Sequence, residues 1–413
     1  MKQPDKPCSY RWVAMGLWLF ANVAGFMVMT NIGALLPAID SDLGLSPSQL
    51  GVLGSIAFWG NVTLAIPLSW WVSRYSAKLL TTVTLTLETL FLFLQGWAPI
   101  FLALLIGRLA FGVAIVAGHP ARAILTQQWF PPREIVMVNS VSNALFGLVV
   151  GGGQLATPFI LVSTGDNWRA TLYIFGALFA ILTALWVGLG RERVTAISQR
   201  TAIPQDVNVL KGALTYRDLW IAGLGFLGAS LALSGFLSFF PTLMLDTYNI
   251  PLQWSGGILA LSILMGGIAG LGFGYLSMST GKGKVILQTL GLLMVISYVG
   301  MTLPNSIPAL FALSFLNGVA WGFWPVLFTV SFHLPGIRPR EVAVAVSFTM
   351  MMSSGGTALG PLTTGFLQEA LGDLRVSLMI VSFAALSLTA AGTLLRFGIN
   401  RVEVEQTDVA QQA

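Results

Sequence analysis

The chain has 413 residues, a formal net charge of +5, and 9% charged against 55% hydrophobic residues. Soluble proteins carry roughly 25% charged residues, so this chain cannot build a water-facing surface and lipid must cover most of it. One cysteine, Cys8, excludes an intrachain disulfide or a cysteine metal cluster, and two histidines argue against a histidine-rich metal site.

The basic N-terminus MKQPDKPCSYR precedes an apolar run that is too long for a signal-peptide core and lacks a convincing cleavage site. It reads as a retained first helix. A membrane-spanning helix needs about 20 mostly apolar residues. Twelve such runs follow in order, at 12–39, 49–72, 78–97, 99–126, 135–162, 168–190, 217–244, 253–277, 284–303, 308–333, 341–367 and 374–397. Open backbone cannot sit in hydrocarbon, so these runs must be helices. A β-barrel is excluded because polar and apolar residues do not alternate over long stretches. The fold class expected is an all-α membrane protein of twelve transmembrane helices.

Lysine and arginine collect on the cytoplasmic side of bilayers. With the N-terminus in the cytoplasm, 18 of the 21 Lys and Arg residues fall on that side; only Arg169 and Arg375 lie outside, and Arg108 lies within the membrane. The net charge is thus a topology signal, not a nucleic-acid patch. Both chain ends are expected in the cytoplasm of a bacterial inner membrane.

The polar stretch 191–216 divides the chain into an N-terminal six-helix bundle (1–190) and a C-terminal one with a short cytoplasmic tail (217–413). PREIVMVNSV at Pro132 recurs as PREVAVAVSF at Pro339, 207 residues later. Pro120 and Pro325 are 205 apart in corresponding fourth helices, as are SWWVSRYSAK at Ser69 and GYLSMSTGKG at Gly274. Pro-Arg-Glu alone could be simply a good helix start; the matching offsets argue for duplication. Parallel six-helix repeats are a known transporter architecture.

LPAIDSDLGLSPSQLGVLGS, ending at Ser55, SRYSAK (73–78), GRLAFGVAIVAGHP (107–120), GLVVGGGQLATP (147–158) and GTALGPLTTG (356–365) together resemble the major facilitator superfamily, across essentially all twelve helices. That resemblance implies two pseudo-symmetric bundles rocking about a midplane site. It also implies that Arg74 and Lys78 belong to the cytoplasmic gating motif. Ser69, Ser73, Ser76 and Ala77 replace other members of that motif, and Met278 and Ser279 do so in the second copy. The Asp of the family's Asp–Arg gating lock is thus replaced by Ser73 here.

Charges at membrane depth are expensive and tend to be functional. Arg108 matches a family position linked to coupling and substrate polarity; it either faces the central cavity and attracts an anion or caps neighbouring carbonyls. Glu88, midway along the third helix, could pair with Arg108 or be held neutral by burial. His119 suits proton coupling, or an interhelical hydrogen bond. Asn22 and Asn31 lie about 180° apart on the first helix, so they cannot both face one small substrate. Asn143, Gln154 and Asn317 are further amides for substrate or for helix pairing. Trp321 and Trp324 flank Gly322 ahead of Pro325, either beside a cavity or as packing. No nucleophile–base set, metal spacing or phosphate loop appears, so the chain is not expected to be an enzyme and no cofactor is expected. The function expected is secondary active transport of a small organic anion or weak acid by alternating access, as a monomer coupled to protons. Organic phosphate and nitrate are disfavoured, because the arginines those carriers of the family use are missing. The alternatives are an exporter of amphipathic drugs or metabolites and a membrane sensor that keeps the transporter fold.

Overall fold

A computed structural model describes residues 10–72, 75–130, 134–192, 212, 214–303, 306–332, 334, 337 and 339–395. The apolar runs all form helices, numbered here as twelve spans. In the first half, α1 comes in two pieces, Tyr10–Thr30 and Ile32–Leu43; α2 is Pro47–Val72, α3 Ala77–Trp97, α4 Phe101–Trp129, α5 Ile135–Ser163 and α6 Trp168–Leu189. In the second, α7 is Arg217–Thr242 with a π turn Leu243–Thr247, α8 Leu252–Thr280, α9 Gly283–Met301, and α10 Ile307–Ala320 plus Phe323–Phe328. The chain continues with α11, Pro339–Leu371, and with α12, Leu374–Ser382 and Leu386–Leu394 joined by a single 3₁₀ turn. By length and composition, ten described helices are apolar enough to cross a membrane. Arg74, Pro132, Arg133 and most of the 191–216 linker lie outside the described residues.

Local chemistry explains where the helices break and stop. Pro325 has no N–H to give the carbonyl of Trp321, and α10 is interrupted at Trp321–Gly322. Gly44 (φ 61°) and Gly281 (φ 65°) end α1 and α8 in the left-handed conformation, which a residue without Cβ adopts freely. Asn167 and Asp373 cap α6 and α12 with their side chains.

The two halves repeat in their contacts as well as in their sequence. In the first, α4 packs so closely on α2 that a methyl on Gly112 would collide with the carbonyl oxygen of Ala57; in the second, Gly318 stands in the same relation to Ser262. The offsets are 206 (112 to 318) and 205 (57 to 262). Thr157 bonds the carbonyl of Gly153 in α5, and Thr364 that of Gly360 in α11, each 207 residues on. The glutamates of the two Pro-Arg-Glu segments also correspond. Glu134 pairs with Arg11 at 2.7 Å, and Glu341 accepts from Tyr216 at 2.9 Å, so each ties the fifth helix of its half to the start of the first.

Between the halves, α2 lies against α11 and α5 against α8. Gly51 meets the carbonyl of Pro361, Gly365 meets Pro47 and Gly51, Gly33 meets Leu237 and Ser238, and Gly256 meets Gln154 and Pro158. Ser48, in the first turn of α2, donates its backbone N–H to Glu369 of α11 at 3.1 Å. These contacts lie toward the end opposite Tyr10 and Leu395. At that same end Asp42 pairs with Arg169 and accepts from Trp168 at 3.2 Å, joining α1 to α6.

Two outcomes test this packing. Gly112→Val should destabilise the protein by about 1–3 kcal/mol, the usual penalty for overpacking, whereas Gly147→Ala, with open space around it, should leave the melting temperature in detergent unchanged. The hydrogen bond from Arg169 holds the Asp42 carboxyl below the usual aspartate range, with smaller help from Trp168. Its stabilisation is therefore present above that range and lost as pH falls through the depressed value. Asp42→Asn should melt lower than the parent at neutral pH, and the gap should close in acid.

Candidate substrate site between the halves

The site is built around the break in α1. A helix interrupted at Asn31 leaves carbonyls of the preceding turn without helical partners. Arg108, eight residues into α4 and 1% exposed, reaches this turn. Its Nη2 donates to the carbonyl of Met29 at 3.1 Å and its Nε to that of Leu53 in α2 at 3.0 Å. The ion pairs among the described residues are Arg11–Glu134 and Arg169–Asp42, so the Arg108 guanidinium faces no carboxylate there. A guanidinium has five N–H donors; the two carbonyls take two.

Asn31 sits at the break itself, 1% exposed. Its Nδ2 donates to Thr157 of α5 at 2.8 Å, while its Oδ1 has no partner among the described residues. Gln154, one turn before Thr157 on α5, is equally buried and its Nε2 has no partner among them either. Unpaired polar atoms at this depth are costly unless something else completes them. The first half thus offers a cation, an open acceptor and an open donor near one helix break.

The second half offers a neutral cluster. Asn317 of α10 accepts from Ser262 of α8 at 2.7 Å and donates to Ser297 of α9 at 3.0 Å. Trp321 donates to the hydroxyl of Tyr298 at 3.2 Å. Asn317, Ser262 and Tyr298 line a narrow cleft together with Phe236 and Leu237 of α7. Leu237 is also the residue whose carbonyl abuts Gly33, just past the break in α1, so the two clusters lie on either side of the same interface.

The structure sorts the residues expected from sequence. Arg108, Asn31 and Gln154 gather at the break, and Asn317 and Trp321 across the interface from it. Trp324 does not join them: it stacks on Phe328 (5.2 Å) and packs on Phe226 (5.1 Å) within its own half. Asn22 is half-buried and makes no hydrogen bond among the described residues. His119 is exposed. Glu88 does not pair with Arg108, one of the two arrangements left open by the sequence. Glu88 is buried against α1, beside Gly25 and Ile115, roughly two turns of α4 from Arg108. The side chain of Asn143 and all of Arg74 lie outside the described residues.

Lys78 is exposed, and the start of α3 is held by another group. Glu192, just past α6, accepts the backbone N–H of Ala77 at 3.0 Å and that of Lys78 at 3.4 Å, and also accepts from Gln128 of α4 at 3.1 Å. A carboxylate at a helix N-terminus is favourable. Sequence reading also missed Thr157, Ser262, Ser297 and Tyr298, since small hydroxyl residues are common in spans and nothing local marks them.

Comparison with known proteins agrees with this architecture. The family model described as Major Facilitator Superfamily matches residues 18–361. The Hexuronate transporter of Bacillus subtilis (strain 168) is 24% identical, covering 92% of this chain and 93% of that one. The Probable L-galactonate transporter of Escherichia coli (strain K12) is 23% identical over 92% and 87%. Among solved structures, a bacterial homolog of the human lysosomal transporter Spinster, inward-facing and occupied, matches with a TM-score of 0.75 at 18% identity over 94% and 95% of the two chains. The chain belongs to the major facilitator superfamily, and it is a multi-pass membrane transporter, not an enzyme.

Proposed function

We propose that this protein moves a small organic anion of the sugar-acid class across the bacterial inner membrane by alternating access, in symport with protons. The observation that carries the anion is the setting of Arg108. Its contact with the Leu53 carbonyl has a counterpart in the second half, where Ser314 of α10 bonds the carbonyl of Ile258. The offsets are 206 (108 to 314) and 205 (53 to 258). A serine hydroxyl therefore does the structural work of that contact without any charge. The charge of Arg108 is left for a ligand, and its remaining N–H groups suit a carboxylate, which arginine binds in a planar, two-point geometry.

A sugar acid also carries hydroxyls. The open acceptor of Asn31, the open donor of Gln154 and the Asn317 cluster supply partners for them. A few placed polar groups in a mostly apolar pocket are the usual composition of a small-molecule site. Similarity to the hexuronate and L-galactonate transporters supports the same substrate class.

The lysine and arginine distribution supports cytoplasmic termini. With that orientation, the glycine contacts and the Ser48–Glu369 bond close the outer end. Outward opening then requires α2 to part from α11 and α5 from α8. The small residues along these seams let the helices approach closely.

Counterflow of a labelled hexuronate in proteoliposomes tests the reading. Arg108→Gln should weaken uptake by about 10- to 100-fold, the worth of a hydrogen bond to a charged group, while Arg108→Lys should retain part of it. Unchanged hexuronate counterflow in Arg108→Gln would contradict the assignment.

A further inference from the structure

Glu88 of α3 is the other charge-bearing residue at membrane depth, and the substrate site does not use it. It is 4% exposed, with no hydrogen bond or ion pair to any described residue. Its Oε2 lies 3.5 Å from the point where a Cβ on Gly25 of α1 would stand, and Ile115 Cδ1 lies 3.1 Å from that point. The carboxyl is therefore enclosed where α1, α3 and α4 meet, against glycine and a branched alkyl chain. An isolated carboxylate there would be very costly to bury, whereas a neutral acid is not.

The internal repeat supplies a control. Burial along α3 recurs along α9 at an offset of 206: Ala77, Leu80, Leu85 and Leu92 are matched by Gly283, Ile286, Gly291 and Tyr298, all buried. The same register places Met294 of α9 in the position of Glu88, and Met294 is fully buried in the core. A methionine satisfies the fold at this position. The carboxyl of Glu88 is an addition that packing does not require.

Few charges surround it. Between Arg11 and Asp40, α1 carries none. On α4, Arg108 lies about two turns from Ile115 on the same face and His119 about one turn beyond it in the other direction; the side chain of Arg122 lies outside the described residues. On α3 itself the nearest charge is Lys78, and α6, packed against α3, carries only Arg169, which is engaged by Asp42 at the far end.

We propose that Glu88 is the proton-carrying group of the transport cycle, protonated while enclosed as here and releasing its proton when the halves rearrange. One O–H bond forms as the carboxylate takes up a proton from one side of the membrane and breaks as it releases that proton to the other. The proposal rests on the reading of this protein as a proton-coupled anion carrier.

The test uses the full-length protein in proteoliposomes with labelled hexuronate, comparing Glu88→Gln and Glu88→Met, the latter copying Met294. Counterflow needs no net proton movement; accumulation driven by a pH gradient does. Both variants should keep counterflow and lose gradient-driven accumulation, down to the level seen without a gradient. Accumulation equal to the parent, or loss of counterflow in variants that melt normally, would overturn the proposal. If the parent itself gives no hexuronate counterflow, the substrate reading fails, and infrared difference spectra then decide Glu88 separately. A protonated-carboxyl C=O band at neutral pH that Glu88→Gln removes supports the proposal; the absence of such a band overturns it.

Discussion

A guanidinium at the middle of a bilayer has to be solvated by protein, and around Arg108 the solvating atoms are the carbonyls of Met29 and Leu53. That requirement organises the first half. A regular α1 would keep its carbonyls for its own ladder; the break at Asn31 releases them at the depth where the arginine arrives from α4. The same break turns the Asn31 amide toward Thr157 of α5. Three spans, α1, α4 and α5, thus meet at one polar point, and the close approach of α4 to α2 at Gly112 brings Leu53 within reach.

The second half repeats the scaffold and omits the charges. Gly318 on Ser262 reproduces Gly112 on Ala57, and Ser314 on Ile258 reproduces Arg108 on Leu53, yet Ser314 and Met294 stand where Arg108 and Glu88 would be. What the two halves share is what a six-helix bundle needs in lipid: small residues at crossings and hydroxyls returned to nearby carbonyls. Where they differ, one half concentrates charge and the other presents neutral hydroxyl, amide and aromatic groups.

The number, order and pairing of the spans were legible because apolar length and landmark spacing are local signals. The azimuth of each side chain was not. Apolar periodicity is weak in a helix bathed in lipid on one side and packed on the other, so the sequence marked Glu88 and Arg108 as buried charges without saying that they point to different neighbours. Asn31 and Thr157 meet across 126 residues, and Ser262 and Asn317 across 55; only the fold brings them together. The dense aromatic stretch at 317–328 divides in the same way, Trp321 toward Tyr298 and Trp324 into its own aromatic stack. The degraded gating motif hid a substitution of another kind. The start of α3 is capped by Ser76, which accepts from the Leu79 N–H at 3.3 Å, and also by Glu192, more than 110 residues away in sequence, a partner no local pattern announces.

Arg108, a buried positive charge, is proposed to read the carboxylate of the substrate. The most direct measurement is calorimetric binding, to the purified parent protein, of a hexuronate and of its hexuronamide, which has the same ring and hydroxyls and an uncharged amide in place of the carboxylate. Binding of the acid, with none measurable for the amide at the same concentrations, is the expected result. Equal affinity for the two would mean that Arg108 does not recognise the substrate's charge.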